Sequence, residues 1–305
     1  MRLHEISFRD DGTSTLVGLE LEASISTGRK KTRPAIIICP GGAYMTLAYR
    51  EAEPAAARFA GMGFQVFILY YPTYLWDHRK PTSPDEARFN ENAHLPEPIV
   101  DAMKAMAWVR GHADELEVDA NRVYMMGFSA GAHLVCSLAE RFDDEELLAC
   151  AGTNAQTAKP TGILLCYPML SGDCVLRLAE HDGEQFVRMQ SRALFGTDEA
   201  TEEQLASIRL ADHVRPDMPR CFIWHNAEDT VTDPTESAEL ATELIRAGVP
   251  CELHLFERGP HGQSLCDETS AALPEHLNPA AAVWPELART WLAADAAGTE
   301  LSHEV

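Results

Sequence analysis

Residues 125–133, MMGFSAGAH, constrain this chain more than any other stretch, because a short apolar strand (residues 122–126) turns there into a helix (residues 130–141) at a single residue. So abrupt a turn forces its apex residue into a strained backbone conformation, tolerable only where the neighbours lack bulk. Gly127 and Gly131 flank Ser129 in the pattern Gly-x-Ser-x-Gly. Ser129 is therefore expected to stand clear of the sheet, with the first helical amide, that of Ala130, aimed at the place where a substrate oxygen would gather negative charge.

The remaining chain reads as strands alternating with helices. Residues 3–9 and 14–22 alternate apolar and polar about Asp10-Asp11-Gly12, as an antiparallel hairpin does, and a polar link follows at 26–32. The run AIIIC (35–39) is apolar and largely β-branched, which suits a strand covered on both faces. Further strands are expected at 64–70, 162–167, 221–225 and 251–256, with helices at 53–62, 99–116, 235–247 and 282–294. The pattern predicts one α/β domain with a mostly parallel sheet and helices on both faces. Residues 118–121 read as a turn before the serine strand, the stretch up to Lys159 as polar linkage, and 295–305 as a frayed tail. Asp101 suits either a buried hydrogen-bonding role or a solvated one. Residues 72–98 lack apolar periodicity and are too long for a simple connection, so they are expected to form a loop over the site. Residues 170–216 read as short amphipathic pieces forming a small helical cap insertion.

A serine hydroxyl is a poor nucleophile near neutrality and needs a neutral imidazole to take its proton, with a carboxylate to orient that imidazole. Of the histidines late in the chain, His254 lies within a strand, and His276 and His303 lie in a loop and the tail. His261, between Pro260 and Gly262 just past a strand end, can reach the serine's edge of the sheet. Among Glu228, Asp229 and Asp233, Asp229 best suits the acid; Asp233 suits the start of the following helix. The loop Pro40-Gly41-Gly42-Ala43-Tyr44 carries few side chains, so the amides of Gly42 and Ala43 are further candidates to hold an oxyanion. Tyr44, Tyr74 and Trp76 are candidate substrate contacts, with His78 beside them. His133 reads as a packed histidine steadying the turn.

The balance of 47 acidic to 25 basic residues gives a net charge of −22, which disfavours nucleic acid and anionic membrane surfaces as partners. A denser acidic run at 143–146 reads as solvated surface. The eight cysteines include no CxxC and suggest a reducing compartment rather than a disulfide framework. Neither a basic leader nor a run of about 20 apolar residues is present, so a cytoplasmic protein is expected. No His-x-His, HExxH or phosphate-cradle pattern suggests a metal or nucleotide cofactor.

With the Pro40–Tyr44, Gly127–His133, His225–Val231 and Gly259–Gly262 stretches in hand, the chain resembles the acetyl-xylan esterase and carbohydrate-esterase branch of the α/β hydrolases, near hormone-sensitive-lipase-like and bifunctional acetyl-xylan/feruloyl esterases. The similarity runs from about residue 34 to 294. It implies the α/β-hydrolase fold with an eight-stranded core and cofactor-free removal of acetyl groups from xylo-oligosaccharides or similar acylated sugars. Ser129 would be nucleophile, Asp229 acid and His261 base, with the amides of Gly42, Ala43 and Ala130 around the oxyanion. The sequence departs from the family where Ala43 and Ala132 replace usual glycines, leaving open which amide donates. A feruloyl esterase, arylformamidase or small peptidase of the same fold is the alternative, as is a non-catalytic binding protein on a hydrolase scaffold. Oligomeric state is left open, a homo-oligomer included.

Overall fold

The computed structural model describes residues 2–22, 32–78, 87–172 and 183–294. Residues 26–31 of the expected 26–32 link, 79–86 of the expected 72–98 loop, 173–182 of the expected 170–216 cap and the expected tail at 295–305 fall outside the described residues.

Eight strands form one sheet: β1 (Arg2–Ser7), β2 (Thr15–Glu20), β3 (Arg33–Cys39), β4 (Gln65–Tyr70), β5 (Val118–Phe128), β6 (Gly162–Cys166), β7 (Arg220–Asn226) and β8 (Cys251–Phe256). Their spatial order is β1-β2-β4-β3-β5-β6-β7-β8. The β1/β2 hairpin joins antiparallel at the β4 edge, and all other pairings are parallel. This is the mostly parallel eight-stranded sheet of an α/β-hydrolase fold.

Among the described residues the α-helices are α1 (Glu53–Gly61), α2 (Glu97–Gly111), α3 (Ala130–Glu140), α4 (Glu145–Ala151), α5 (Ala155–Ala158), α6 (Glu184–Phe195), α7 (Glu202–Ser207), α8 (Pro234–Arg246) and α9 (Trp284–Ala294). Because side chains alternate across a strand, the central strands feed two cores. Ile37, Met125, Leu165 and Ile223 join α2, α3 and α8 on one face. Ile36, Ile38, Met126, Leu164 and Trp224 join α1 and α9 on the other, where Trp224 stacks on Trp284 at 5.4 Å between ring centroids. Burial on both faces explains why these strands read as continuous apolar runs.

Several boundaries differ from expectation. Residues 118–121 belong to β5 rather than to a preceding turn. The turn chemistry is real, since Asp119 Oδ1 accepts from the Asn121 amide, but it forms an irregularity inside the strand where pairing with β3 jumps from Arg33–Val118 to Ala35–Val123. The polar linkage before Lys159 holds α4 and α5, too short for a readable period. Asp144 of the acidic run caps α4 by accepting from the Glu146 and Leu147 amides. α2 starts at Glu97, inside the expected loop, and α9 starts at Trp284. Asp101 is fully buried and paired with Arg9 at 2.6 Å and Lys104 at 3.0 Å, so it ties the loop of the hairpin to α2.

Glu140, at the end of α3, is buried without a cation within ion-pair distance among the described residues, and its carboxyl contacts Cys136 Sγ at 3.6 Å. Burial raises its pKa to about 8, against smaller opposing effects of Cys136 and Arg141. The folded state then retains a proton that the unfolded chain releases near its ordinary value of 4.5, so stability falls as pH rises from there to about 8. Glu140→Gln is expected to remove this slope, matching the wild type at pH 5 and exceeding it at pH 9 by on the order of 3–5 kcal/mol. Denaturant titrations at the two pH values measure it, and parallel pH curves would contradict it.

Candidate active site

The strands β3, β5, β6, β7 and β8 run parallel, so their C-terminal ends open onto one edge of the sheet. Ser129 follows β5 directly and is the N-cap of α3, with φ 52° and ψ −117°. A Cβ on Gly127 would lie 2.2 Å from the Gly131 carbonyl oxygen, and one on Gly131 would lie 2.1 Å from that of Cys39. Both are backbone atoms that cannot swing aside. Gly131→Val is therefore expected to lower the yield of folded protein and its melting temperature sharply, and a folded variant with wild-type melting would contradict the close-approach reading.

His261 sits on the loop after β8. Several hydrogen bonds hold that loop: the Asn226 amide nitrogen donates to the Pro260 carbonyl (3.2 Å) and Gln263 Oε1 (2.8 Å), Asn278 donates to the Arg258 carbonyl (2.6 Å), and Arg50 Nε donates to the Gly262 carbonyl (2.8 Å). The imidazole meets the edge of the Tyr167 ring at 5.1 Å between centroids. Its Nε2 stands 2.8 Å from Ser129 Oγ and its Nδ1 2.7 Å from Asp229 Oδ2. Side chains separated by 132 positions in the chain are thus brought into one hydrogen-bonded line.

Asp229 comes from the turn after β7, where its Oδ1 accepts from the Val231 and Thr232 amides at 2.8 and 3.0 Å. Burial pushes its carboxyl up, but hydrogen bonds with His225 and His261 and the electrostatic attraction of the two rings outweigh this and hold it well below the usual carboxylate range. An ionised carboxylate only accepts, so Nδ1 of His261 carries the proton and Nε2 presents its lone pair to Ser129. The other histidines weighed as base and described here lie elsewhere: His254 contacts Glu252, and His276 Nδ1 accepts from the Ala272 and Leu273 amides. His303 lies outside the described residues. Glu228 accepts from the Gly259 amide, and Asp233 caps α8 through the Thr235 amide.

Residues that sequence reasoning assigned no role complete the arrangement. His225, fully buried at the end of β7, places Nε2 3.1 Å from Asp229 Oδ2 and Nδ1 2.8 Å from Ser237 Oγ, so the carboxylate lies between two imidazoles. Thr232 Oγ1 lies 3.1 Å from Asp229 Oδ2 and 3.1 Å from His261 Nδ1. Glu51, 2 % exposed, accepts from the Gly41 amide at 2.7 Å and from the Tyr167 hydroxyl at 2.8 Å, bracing the glycine-rich loop against the ring beside His261. The spacing of His225 to Asp229 could have suggested the first of these; nothing local marked Glu51.

In the glycine-rich loop Gly42 has φ 136°, and a Cβ there would lie 2.1 Å from the Thr46 carbonyl oxygen. Ala43 follows at φ 58°, a conformation that glycine adopts more readily and that gives its usual presence there a physical basis. The amides of Gly42, Ala43 and Ala130 have no protein acceptor among the described residues. A cavity of about 500 Å³ opens over Ser129 and His261, lined by Gly42 and Ala43 on one side and by Met45, Leu75, Phe186 and Met189 on another. The expected aromatic contacts do not line it. Tyr44 is fully buried with its hydroxyl 2.8 Å from His133 Nδ1, and Tyr74 is buried against Phe89. Trp76 and His78 also stay outside it, because the backbone of 74–75 pairs with the 44–45 carbonyls and presents Leu75 instead. His133 is a packed histidine.

Among the described residues no group of three or more His, Cys, Asp or Glu side chains stands ready to hold a metal, and no helix is long and apolar enough to cross a membrane.

Sheet order, the strained serine between β5 and α3, and the histidine and acid loops on the same edge define the molecule as an α/β hydrolase in fold. Residues 21–244 match the BD-FAE family, and the chain belongs to that family. Endo-1,4-beta-xylanase B of Butyrivibrio fibrisolvens is 28% identical over 240 residues, which is 77% of this chain and 33% of that protein. Acetylxylan esterase of Xylanibacter ruminicola is 23% identical over 84% of this chain and 45% of its own length. The chain thus spans between a third and about half of the length of these two relatives. Among solved structures, the carboxylesterase Cest-2923 from Lactobacillus plantarum superposes with a TM-score of 0.80 at 21% identity, over 97% of this chain and 98% of that one, a likeness of fold. An acetyl ester-xyloside bifunctional hydrolase from Caldicellulosiruptor lactoaceticus superposes with a TM-score of 0.69 at 25% identity, over 97% and 96%.

Proposed function

We propose that this chain is a serine carboxylesterase that removes acetyl groups from xylo-oligosaccharides or similar acylated sugars through an acyl-enzyme at Ser129. The observation that carries the reading is the unbroken line from Ser129 Oγ through both nitrogens of His261 to Asp229 Oδ2. Ser129 Oγ attacks the ester carbonyl carbon as His261 Nε2 takes its proton. The carbonyl oxygen becomes an oxyanion held by the amides of Ala130 and of Gly42 or Ala43. As the C–O bond to the alcohol breaks, His261 returns the proton to the leaving alkoxide. A water then gives its proton to Nε2 and attacks the acyl carbon, and the carboxylic acid departs as Ser129 regains its hydrogen. Asp229 keeps the imidazole in the required tautomer and balances its charge once protonated. No cofactor takes part.

The names of the relatives support the substrate class. The cavity favours a second reading of the acyl group, since Met45, Leu75, Phe186 and Met189 offer apolar surface on which the aryl group of a feruloyl ester would fit. Parallel assays on acetylated xylo-oligosaccharide, a feruloyl ester, N-formylkynurenine and a short peptide test both. Turnover of the acetylated sugar above the others supports the first reading; selective turnover of the feruloyl ester, the formamide or the peptide replaces it.

A further inference from the structure

A second cavity, of about 690 Å³, is lined by α3, by residues 94–99 at the start of α2 and by residues between 195 and 213, and none of its lining residues lines the cavity over Ser129. α3 is otherwise an apolar buried helix, yet His133, Ser137 and Glu140 follow one another at four- and three-residue spacing and all line this cavity. They are 1 %, 4 % and 6 % exposed.

His133 Nδ1 lies 2.8 Å from the Tyr44 hydroxyl and 3.4 Å from Ser137 Oγ, whereas its buried Nε2 has no hydrogen-bond partner among the described residues. Burial lowers the imidazole's pKa, and a weak contact with the Ile208 backbone opposes part of that fall. Among the described residues the carboxyl of Glu140 has the Cys136 thiol, at 3.6 Å, as its hydrogen-bond partner. A buried polar atom left without a partner, as His133 Nε2 is, costs about 1–3 kcal/mol, and native folds keep few of them. The lining also includes the apolar side chains of Ile99, Ile208 and Phe195.

We propose that this cavity is a second binding site, for a small uncharged polyhydroxyl ligand of the sugar type. Hydroxyls would meet His133, Ser137 and Glu140, while the C–H face of the ring would lie on Phe195 and the isoleucines. The polar wall is neutral near pH 7, because burial draws His133 down to about 4 and lifts Glu140 to about 8. At the rim Arg141 is already paired with Asp144 at 2.7 Å. The α3 wall therefore selects for neither sign of charge. A volume of this size falls within the usual range of about 300–1,000 Å³ for small-molecule sites. The inference does not depend on the esterase reading, since Ser129 takes no part in it.

Isothermal titration of the Ser129→Ala protein with xylose, glucose and xylobiose tests it, alongside three further substitutions in that background. Ser207→Trp fills the cavity from its exposed rim, Glu140→Leu removes a polar partner, and Met189→Trp fills the cavity over residue 129 instead. Expected is saturable one-to-one binding of at least one sugar, weakened about tenfold or more by the first two changes and unaffected by Met189→Trp. The absence of saturable binding by all three sugars would overturn the proposal. So would binding abolished by Met189→Trp and indifferent to Ser207→Trp, which would place the sugar over residue 129.

Discussion

Replacing Ser129 by Ala is expected to lower kcat for ester hydrolysis by about 10⁴- to 10⁶-fold while leaving the melting temperature close to that of the parent protein. The hydroxyl supplies the bond-forming atom, and the substitution leaves the glycine contacts and the backbone hydrogen bonds of the apex in place. Residual hydrolysis would come from the oxyanion amides acting on bound substrate and water. Single-turnover rates measured with an activated acetyl ester check the magnitude. Ordinary turnover by the variant would remove Ser129 from the reaction.

Asp229→Asn is expected to lower kcat by about 10⁴-fold for a different reason. An amide in place of the carboxylate can turn its NH₂ toward Nδ1 of His261, which then holds the proton on Nε2 and leaves no lone pair for Ser129. The same substitution takes the anion away from His225, buried against Asp229 Oδ2 at 3.1 Å. A loss of stability should therefore accompany the loss of rate, whereas Ser129→Ala should show the rate effect alone. The stability that the depressed carboxyl lends the wild type is fully present above the ordinary carboxylate pKa and is lost as pH falls through its folded-state value. In the Asn variant that acid-side loss should be missing, which denaturant titrations between neutral and acidic pH would detect.

The order of strands and helices was legible because burial on both faces leaves apolar runs such as AIIIC and CFIWH, and because the serine turn is local, with both glycines within two residues of its apex. Short helices were not legible. α5 has four residues, fewer than two turns, so no period can show. Residues 118–121 carried true turn chemistry at Asp119 and still lay within β5, because pairing with β3 resumes beyond the irregularity. Tyr44, Tyr74 and Trp76 were chosen for their position in loops near the serine, but whether an aromatic faces a cavity or a core depends on how two distant loops pair. Here the 74–75 backbone bonds to the 44–45 carbonyls and turns Leu75 inward. Glu51 braces residues 10 and 116 positions away, a relation that exists only once the sheet edge is assembled.

The nucleophilic role of Ser129, activated by His261, is tested most directly by reaction with a fluorophosphonate followed by peptide mass spectrometry of the wild type and of His261→Ala. One covalent adduct per chain, carried on the peptide containing Ser129 and formed orders of magnitude more slowly in the His261 variant, is the predicted result. An unmodified Ser129, or equal labelling rates in the two proteins, would contradict it.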